Sequence, residues 1–559
     1  MNRRRRHYVA LMAIVAFAAA FRFWGLAWGL HDASISRRPH PDEWVVYWLF
    51  KWFGQSGTLD PCPQSASRCF FDWGSMYIYG AYAVHAVVDP VLSLLPSDVF
   101  GARADPEFVH SVVAGRITSA VASTLAVPVI YASGRTAFGS ESGLAAAAVL
   151  AASALPIQLA HFATPDSTVL LLVSLVLLAL LRAAKMQSGK WLVLGGLLAG
   201  LAVGTEYHMA LLLCPLLATW ASMTDRRRRW LVVASGCVVA GYLVSNPYVI
   251  VDSPSFAAAM RHTVLIHTVD STAQYQGRFN AYGPDWLYVV RYPLGYGVGI
   301  CFTIWSLLGL AWAVASRDRS QLILLAWIVP YGLVVSLSAA KFMRYSLPLM
   351  PALAILAGGV AWSLVTTRHR PLRSLAAAAA LVAILYTVVY DSAYASLFSR
   401  PESRLVVTDW VQHNVATRSL LAYEQLPNGL INLPYFTSSL GYPPCFTQFR
   451  ANWIAGSVRY VLTDGYDVEE HPRFSASSVQ RFRASLANPQ RFRVAERVHY
   501  EPAFLGLTFS IDASPHDWRY PDRDITVFRR LGPTPPRVAH CYRSVSAAVA
   551  ALYPHAANG

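Results

Sequence analysis

About twelve apolar runs divide the first 391 residues, and clusters of basic residues fall in the gaps between them. Nothing else in the chain constrains it as strongly. A run of this kind crosses a bilayer as a helix, because lipid offers the backbone no hydrogen-bond partner. The runs lie at about 8–28, 76–95, 109–132, 143–160, 167–182, 191–206, 208–224, 230–250, 288–315, 321–338, 346–365 and 375–391. Between them sit Arg3–Arg6, Arg182/Lys185/Lys190, Arg226–Arg229, Arg317/Arg319 and Arg368/Arg370/Arg373. This is the positive-inside pattern, so the net charge of +15 reflects topology and not a nucleic-acid-binding face. With 55% hydrophobic and 14% charged residues among 559, a soluble chain is excluded. Residues 8–28 read as an anchor, since Phe21-Arg22-Phe23-Trp24 offers no small-residue cleavage site.

Parity then sets the topology. Arg3–Arg6 and Arg226–Arg229 belong on the cytoplasmic side, so one of the intervening runs does not cross. The segment 76–95, with Tyr77, Tyr79, Tyr82, His85 and Asp89, is the one expected to lie in the interface. The expected fold is a polytopic all-α membrane protein of about eleven spans plus in-plane helices over residues 1–391. Residues 392–559 form an extracytoplasmic α/β domain, placed outside the plasma membrane. There the long apolar runs stop, and short β-rich stretches appear at Leu405–Val407, Ser419–Tyr423, Tyr460–Leu462 and Ile525–Phe528, with helical pieces at Asp409–Val415 and Ser477–Leu486.

Cysteine usage fits this sidedness. Cys62 and Cys69 share the first outer loop and suit a disulfide, with metal binding as the alternative; Cys445 and Cys541 are the pair in the tail. Cys214, Cys237 and Cys301 fall in spans and read as small packing residues.

The same outer face collects a chemically coherent set of side chains. Asp42 and Glu43 come from His40-Pro41-Asp42-Glu43 after the first span, and Asp166 from His161-Phe-Ala-Thr-Pro-Asp166 after the third run that crosses. Glu206 and His208 end the fifth span; Arg261, His262, His267, Asp270 and Arg278 lie in the loop before Arg291; Lys341 and Arg344 lie before the tenth. Carboxylates supply a general base and cations hold an anionic leaving group. Each has a plainer reading: Asp166 as a helix cap, Lys341 and Arg344 as snorkelling helix ends, His262 and His267 as surface residues, and Arg116 in a structural ion pair within its span.

The order of an acidic motif in the first loop, an in-plane helix, Pro165-Asp166, Asn246-Pro-Tyr248 and Lys341-Phe-Met-Arg344-Tyr345-Ser-Leu-Pro348 resembles the C-type (GT-C) glycosyltransferases. It is similar to bacterial relatives of the protein O-mannosyltransferases and of the lipid A aminoarabinose transferase. Trp410 and Asp517-Trp-Arg-Tyr520 resemble features of the outer domains of some members. The resemblance implies an inverting transfer from a polyprenyl-phosphate sugar donor to an acceptor hydroxyl on a glycan, lipid or protein. In that reading Asp42, Glu43 and Asp166 are catalytic, with Asp42 as base; Lys341, Arg344, Arg291 and Arg116 hold the donor phosphate; Glu206, His208, His262 and His267 contact substrate or metal. A divalent metal stays open, and no nucleic acid is implied. Two rivals are a transporter or lipid flippase, which places its charges near the midplane, and a non-enzymatic envelope-glycan assembly factor.

Overall fold

The computed structural model describes residues 3–34, 38–62, 69–96, 98–224, 226–268, 285–338, 341–415, 420–423, 445–448, 459–463, 484–522 and 524–532. Among the described residues, six helices are long and apolar enough to cross a membrane, seven if one bent pair is a single span, and the chain is a multi-pass membrane protein. Helices lie over each of the expected apolar runs, but Gly189–Val203, Tyr207–Ser222 and Ile300–Ser316 are shorter apolar helices, fewer full-length spans than the eleven expected. They include α1 (Arg3–Phe23), and later Pro106–Phe138, Asp166–Met186, Gly189–Val203 and Arg228–Ser245.

Close helix contact is made by small residues where hydrophobic sorting gives no help. In Gly189–Val203, an added Cβ at Gly196 would meet the Ala234 carbonyl oxygen at 2.3 Å, and one at Gly200 would meet that of Val238 at 2.2 Å. Glycine four residues apart is therefore what lets this helix lie directly on Arg228–Ser245.

Two expected spans are broken. The run at 143–160 forms Ser140–Ala151 and Ala154–Ala160, bent by 56°. The carbonyls freed at the break are satisfied from another helix. Arg22, fully buried at the end of α1, donates to the Leu150 oxygen (3.1 Å), the Ala151 oxygen (3.2 Å) and Ser123 Oγ (2.7 Å). The run at 288–315 is likewise interrupted, by Pro293 and Gly299, before Ile300–Ser316. The segment 76–95 is a helix, Ser75–Leu92, and it packs with a second helix, Trp44–Ser56, in an aromatic-rich cluster against the start of Pro106–Phe138.

Opposite ends of the bundle differ in charge. At one end Lys185 donates to the Thr136 oxygen, and Thr224, just ahead of Arg226–Arg229, donates to Gln187 Oε1. At the other end Asp166 opens its helix, Glu206 follows Gly189–Val203, and Arg344 opens Met343–Val365.

The last long helix, Arg370–Ser396, leads into a smaller α/β region. Its strands β1 (Leu420–Tyr423), β2 (Cys445–Gln448), β3 (Tyr460–Thr463), β4 (Phe492–Val498) and β7 (Ile525–Arg530) form one sheet in the order β2-β1-β3-β7-β4. Strands β1, β2 and β3 are parallel, and β7 runs antiparallel to β3 and β4. A hairpin of β5 (Ala503–Phe504) and β6 (Leu507–Thr508) lies between β4 and β7. The expected strand at Leu405–Val407 is instead part of a helix, Ser403–Asn414. Val407 and Val411, one turn apart, fill the core with Tyr460, Leu462, Ile525 and Val527, so the helical period overrides the β-branched run. Of Ser477–Leu486, residues 477–483 lie outside the described residues.

Candidate active site

His40-Pro41-Asp42-Glu43 folds as a single 3-10 turn, Pro41–Glu43. Proline sets the first residue, the Asp42 N–H donates to His40 Nδ1 (3.2 Å), and the His40 N–H donates to Glu43 Oε2 (3.3 Å). The turn sends its two acids different ways. Glu43 goes inward and takes a forked pair from Arg116, Nε to Oε1 at 2.7 Å and Nη2 to Oε2 at 3.0 Å. Arg116 also donates to the carbonyls of Leu26 (2.8 Å) and Trp28 (2.7 Å), and the Ala163 N–H reaches Glu43 Oε1 at 3.2 Å. Both side chains are 0% exposed. Neither Glu43 nor Arg116, expected as catalytic and phosphate-binding residues, has a surface open to a ligand.

Asp42 goes outward. Its Oδ2 lies 2.5 Å from Arg344 Nη1, with 29% and 17% of the two side chains exposed. Burial would raise the Asp42 carboxyl, but the Arg344 guanidinium, with His40 and Arg38, outweighs it and holds the group below the usual carboxylate range. Glu206 is pushed up to about 8 by burial and by Asp166, against the pull of Arg344. That coupling puts Asp42, Asp166, Glu206 and Arg344 within one another's electrostatic reach at one end of the bundle. His208 Nδ1 is 3.6 Å from Glu206 Oε2, and its ring lies 5.7 Å from that of Tyr331.

The other expected cations sit elsewhere. Lys341 is buried, and its Nζ donates to the carbonyls of Ser336 (2.8 Å) and Ser338 (2.9 Å) at the end of Arg319–Leu337. Arg291 is exposed, with its guanidinium over Tyr292. His262 and His267 fall on the helix Ser253–Thr268, their side chains outside the described residues. Cys62 and Cys69 are joined in a disulfide. The side chain of Cys445 and the whole of Cys541 lie outside the described residues. Among the described residues, the groups that could share a metal ion are Cys62/Cys69/Asp252, where the cysteines are already bonded, and His499/Glu501/Asp512 in the tail.

The tail reaches the cleft. Asp517 Oδ2 accepts the backbone N–H of Met343 (2.6 Å) and of Arg344 (3.4 Å). The turn carrying it is held by Gln158, whose amide donates to the carbonyls of Asp517 (2.7 Å) and Trp518 (3.2 Å), and by Tyr394, which stacks on Trp518 and donates to its carbonyl (2.8 Å). Tyr520 meets His40 edge-on, 4.7 Å between centroids. From Ser403–Asn414, Arg404 pairs with Glu402 (2.5 Å) and donates to the carbonyls of Arg38 (2.8 Å) and Pro39 (3.3 Å), just ahead of Asp42. Asp517 was visible in the sequence only as part of a tail motif; nothing local marks its partner.

Residues 108–250 match a family model described as dolichyl-phosphate-mannose-protein mannosyltransferase. That segment holds the buried Arg116 together with Asp166 and Glu206, and it leaves Asp42 and Arg344 outside. No curated protein matches the chain by sequence. Among solved structures, ArnT from Cupriavidus metallidurans in the apo state is similar at 15% identity and a TM-score of 0.49, over 94% of this chain and 99% of that one. ArnT bound to undecaprenyl phosphate is similar at 14% identity and a TM-score of 0.46, over the same 94% and 99%. The apo oligosaccharyltransferase of Archaeoglobus fulgidus is similar at 12% identity and a TM-score of 0.49, over 91% of this chain and 75% of that one.

Proposed function

We propose that this protein is an inverting glycosyltransferase that moves a sugar from a polyprenyl-phosphate donor to an acceptor hydroxyl on the extracytoplasmic face of the plasma membrane. The observation that carries the proposal is the Asp42–Arg344 pair, flanked by Asp166 and Glu206, at the end of the bundle away from the basic clusters. The family match over 108–250 supports a lipid-phosphate-linked donor.

The pair suits both halves of the reaction. A fork of N–H donors binds phosphate as readily as carboxylate, so a donor phosphate takes over Arg344 and frees Asp42. Asp42 then accepts the acceptor's proton as that oxygen bonds to the anomeric carbon. The bond from that carbon to the phosphate oxygen breaks, and its electron pair leaves with the lipid phosphate. Arg344 stabilises the charge developing there, and Asp166 orients the acceptor. Attack opposite the phosphate inverts the anomeric centre. Glu43 and Arg116 build the turn and touch no substrate. Lys341 fixes the chain ahead of Arg344, and Arg291 lies outside the contact set.

Purified protein in proteoliposomes, given polyprenyl-phosphate sugars and extracts of envelope glycan, lipid and protein, should transfer label to one acceptor class. Asp42→Asn should abolish the transfer while retaining donor binding. Movement of labelled lipid between leaflets without any transfer would replace the reading with a flippase. Sidedness is checked separately: Arg103→Cys should react with an impermeant thiol reagent in intact cells and Arg227→Cys should not, and the reverse result would overturn the topology.

A further inference from the structure

We propose that Asp517, supplied by the C-terminal tail, is a positioning residue that caps the turn carrying Arg344 and so sets the guanidinium at the phosphate position. The proposal rests on the glycosyl-transfer reading above.

The turn Met343–Leu349 begins without a cap of its own. Phe342 holds the N-cap position, and its side chain has no atom that could accept a hydrogen bond. The first N–H groups of any helical turn need an outside acceptor. Here the acceptor comes from a residue 174 positions away, Asp517 Oδ2, with the Met343 N–H at 2.6 Å. A carboxylate is also the favoured charge at such an end. Immediately upstream, Lys341 is tied to Ser336 and Ser338, so the short link 341–344 is clamped at both ends and Arg344 leaves it in one direction.

Asp517 is kept there at a cost. The side chain is buried, and Oδ1 has no hydrogen-bond partner among the described residues. A half-satisfied buried carboxylate has no reason to be stable unless its position serves something else. The groups facing it are Arg344 from Met343–Val365, Tyr394 from Arg370–Ser396, and the amide of Gln158, whose bond goes to the Asp517 carbonyl. Burial pushes the carboxyl up to about 6, against the pull of Arg344 and the two N–H groups. The cap therefore loses its charge as the medium becomes mildly acidic, and a positioning role then has a pH signature.

The test compares full-length wild type, Asp517→Asn and Asp517→Ala in nanodiscs, reading binding of undecaprenyl phosphate and turnover of polyprenyl-phosphate sugars. Asp517→Ala should weaken binding about tenfold, the worth of one charge-assisted hydrogen bond. Asp517→Asn keeps an acceptor oxygen and should restore most of the binding at neutral pH. Wild type should lose binding below about pH 6, and Asp517→Asn should lose that acid limb. Faster amide exchange at Met343 and Arg344 in Asp517→Ala should accompany the loss. Equal binding and an unchanged acid limb in both variants would overturn the proposal even with an active wild type. A wild type that binds and transfers no lipid-linked sugar would instead sink the function reading.

Discussion

Two acids adjacent in sequence meet two arginines and come to opposite ends. Glu43 and Arg116 are sealed from solvent, locked in a fork and surrounded by further donors and carbonyls. Asp42 and Arg344 share one contact at the edge of a cleft, each partly exposed. The first pair has both carboxylate oxygens and all but one of the guanidinium N–H groups bonded within the protein. The second has capacity left over, and its partners can be exchanged. Satisfaction, more than charge or proximity, separates an ion pair that builds a site from one that works in it.

Breaking the comparison starts with its sealed half. Removing one partner of a fully buried pair leaves the other charged in a dry environment, which costs about 3–5 kcal/mol. Glu43→Ala and Arg116→Ala should therefore lower the thermal midpoint in detergent sharply or abolish the monodisperse peak in size-exclusion chromatography. Near-native melting of either would show that water reaches the pair. The open half should respond far more in rate than in stability. For Asp42→Asn we expect a small drop in melting, well below that of the sealed pair, and at least about a 10²-fold loss of turnover, as for a positioned general base.

A pH series sharpens the contrast further. Asp42 is held below the usual carboxylate range, so its contribution to stability is complete above the unfolded value of 3.8 and disappears only as pH falls through its lower folded value. Glu206 runs the other way. Its folded value near 8 lies above the ordinary value of 4.5, so its protonated form favours the folded state at low pH and that advantage is lost as pH rises toward 8. Melting followed from pH 5 to 9 should decline in wild type and be flatter in Glu206→Gln. Identical slopes would place Glu206 in ordinary solvent. The smallest effect belongs to Lys341→Met, which frees one end of the 341–344 link and should weaken phosphate binding about threefold, against a loss of tenfold or more for Arg344→Ala. A matching loss would return Lys341 to the phosphate site.

Much of this was legible before any coordinates. The apolar helices and the expected placing of Asp42 and Arg344 at one end of the bundle follow from hydropathy and charge alternation, which act locally and repeat; their direct pairing does not. The split between Asp42 and Glu43 was not legible, because both are acids in one loop and only the handedness of a single 3-10 turn parts them. The break at Ala152 was hidden as well: an alanine-rich run looks continuous, and its tolerance depends on Arg22 arriving from another helix. Lys341 and Arg344 looked equivalent as cations three residues apart. The carbonyls of Ser336 and Ser338 decide between them, and carbonyls leave no trace in a sequence. The cap on Met343 depends on a residue 174 positions downstream with no local signal.

That last contact bears on how the molecule is made. Synthesis runs from the N-terminus, so Asp42 is laid down first, Arg344 follows 302 residues later, and Asp517 comes after a further 173. Until the tail has emerged and seated Trp518 on Tyr394, the turn bearing Arg344 lacks the cap from Asp517. A nascent chain would thus hold its acids and its arginine without holding them in working order. Loss of the tail by truncation or proteolysis would return the finished protein to the same idle state.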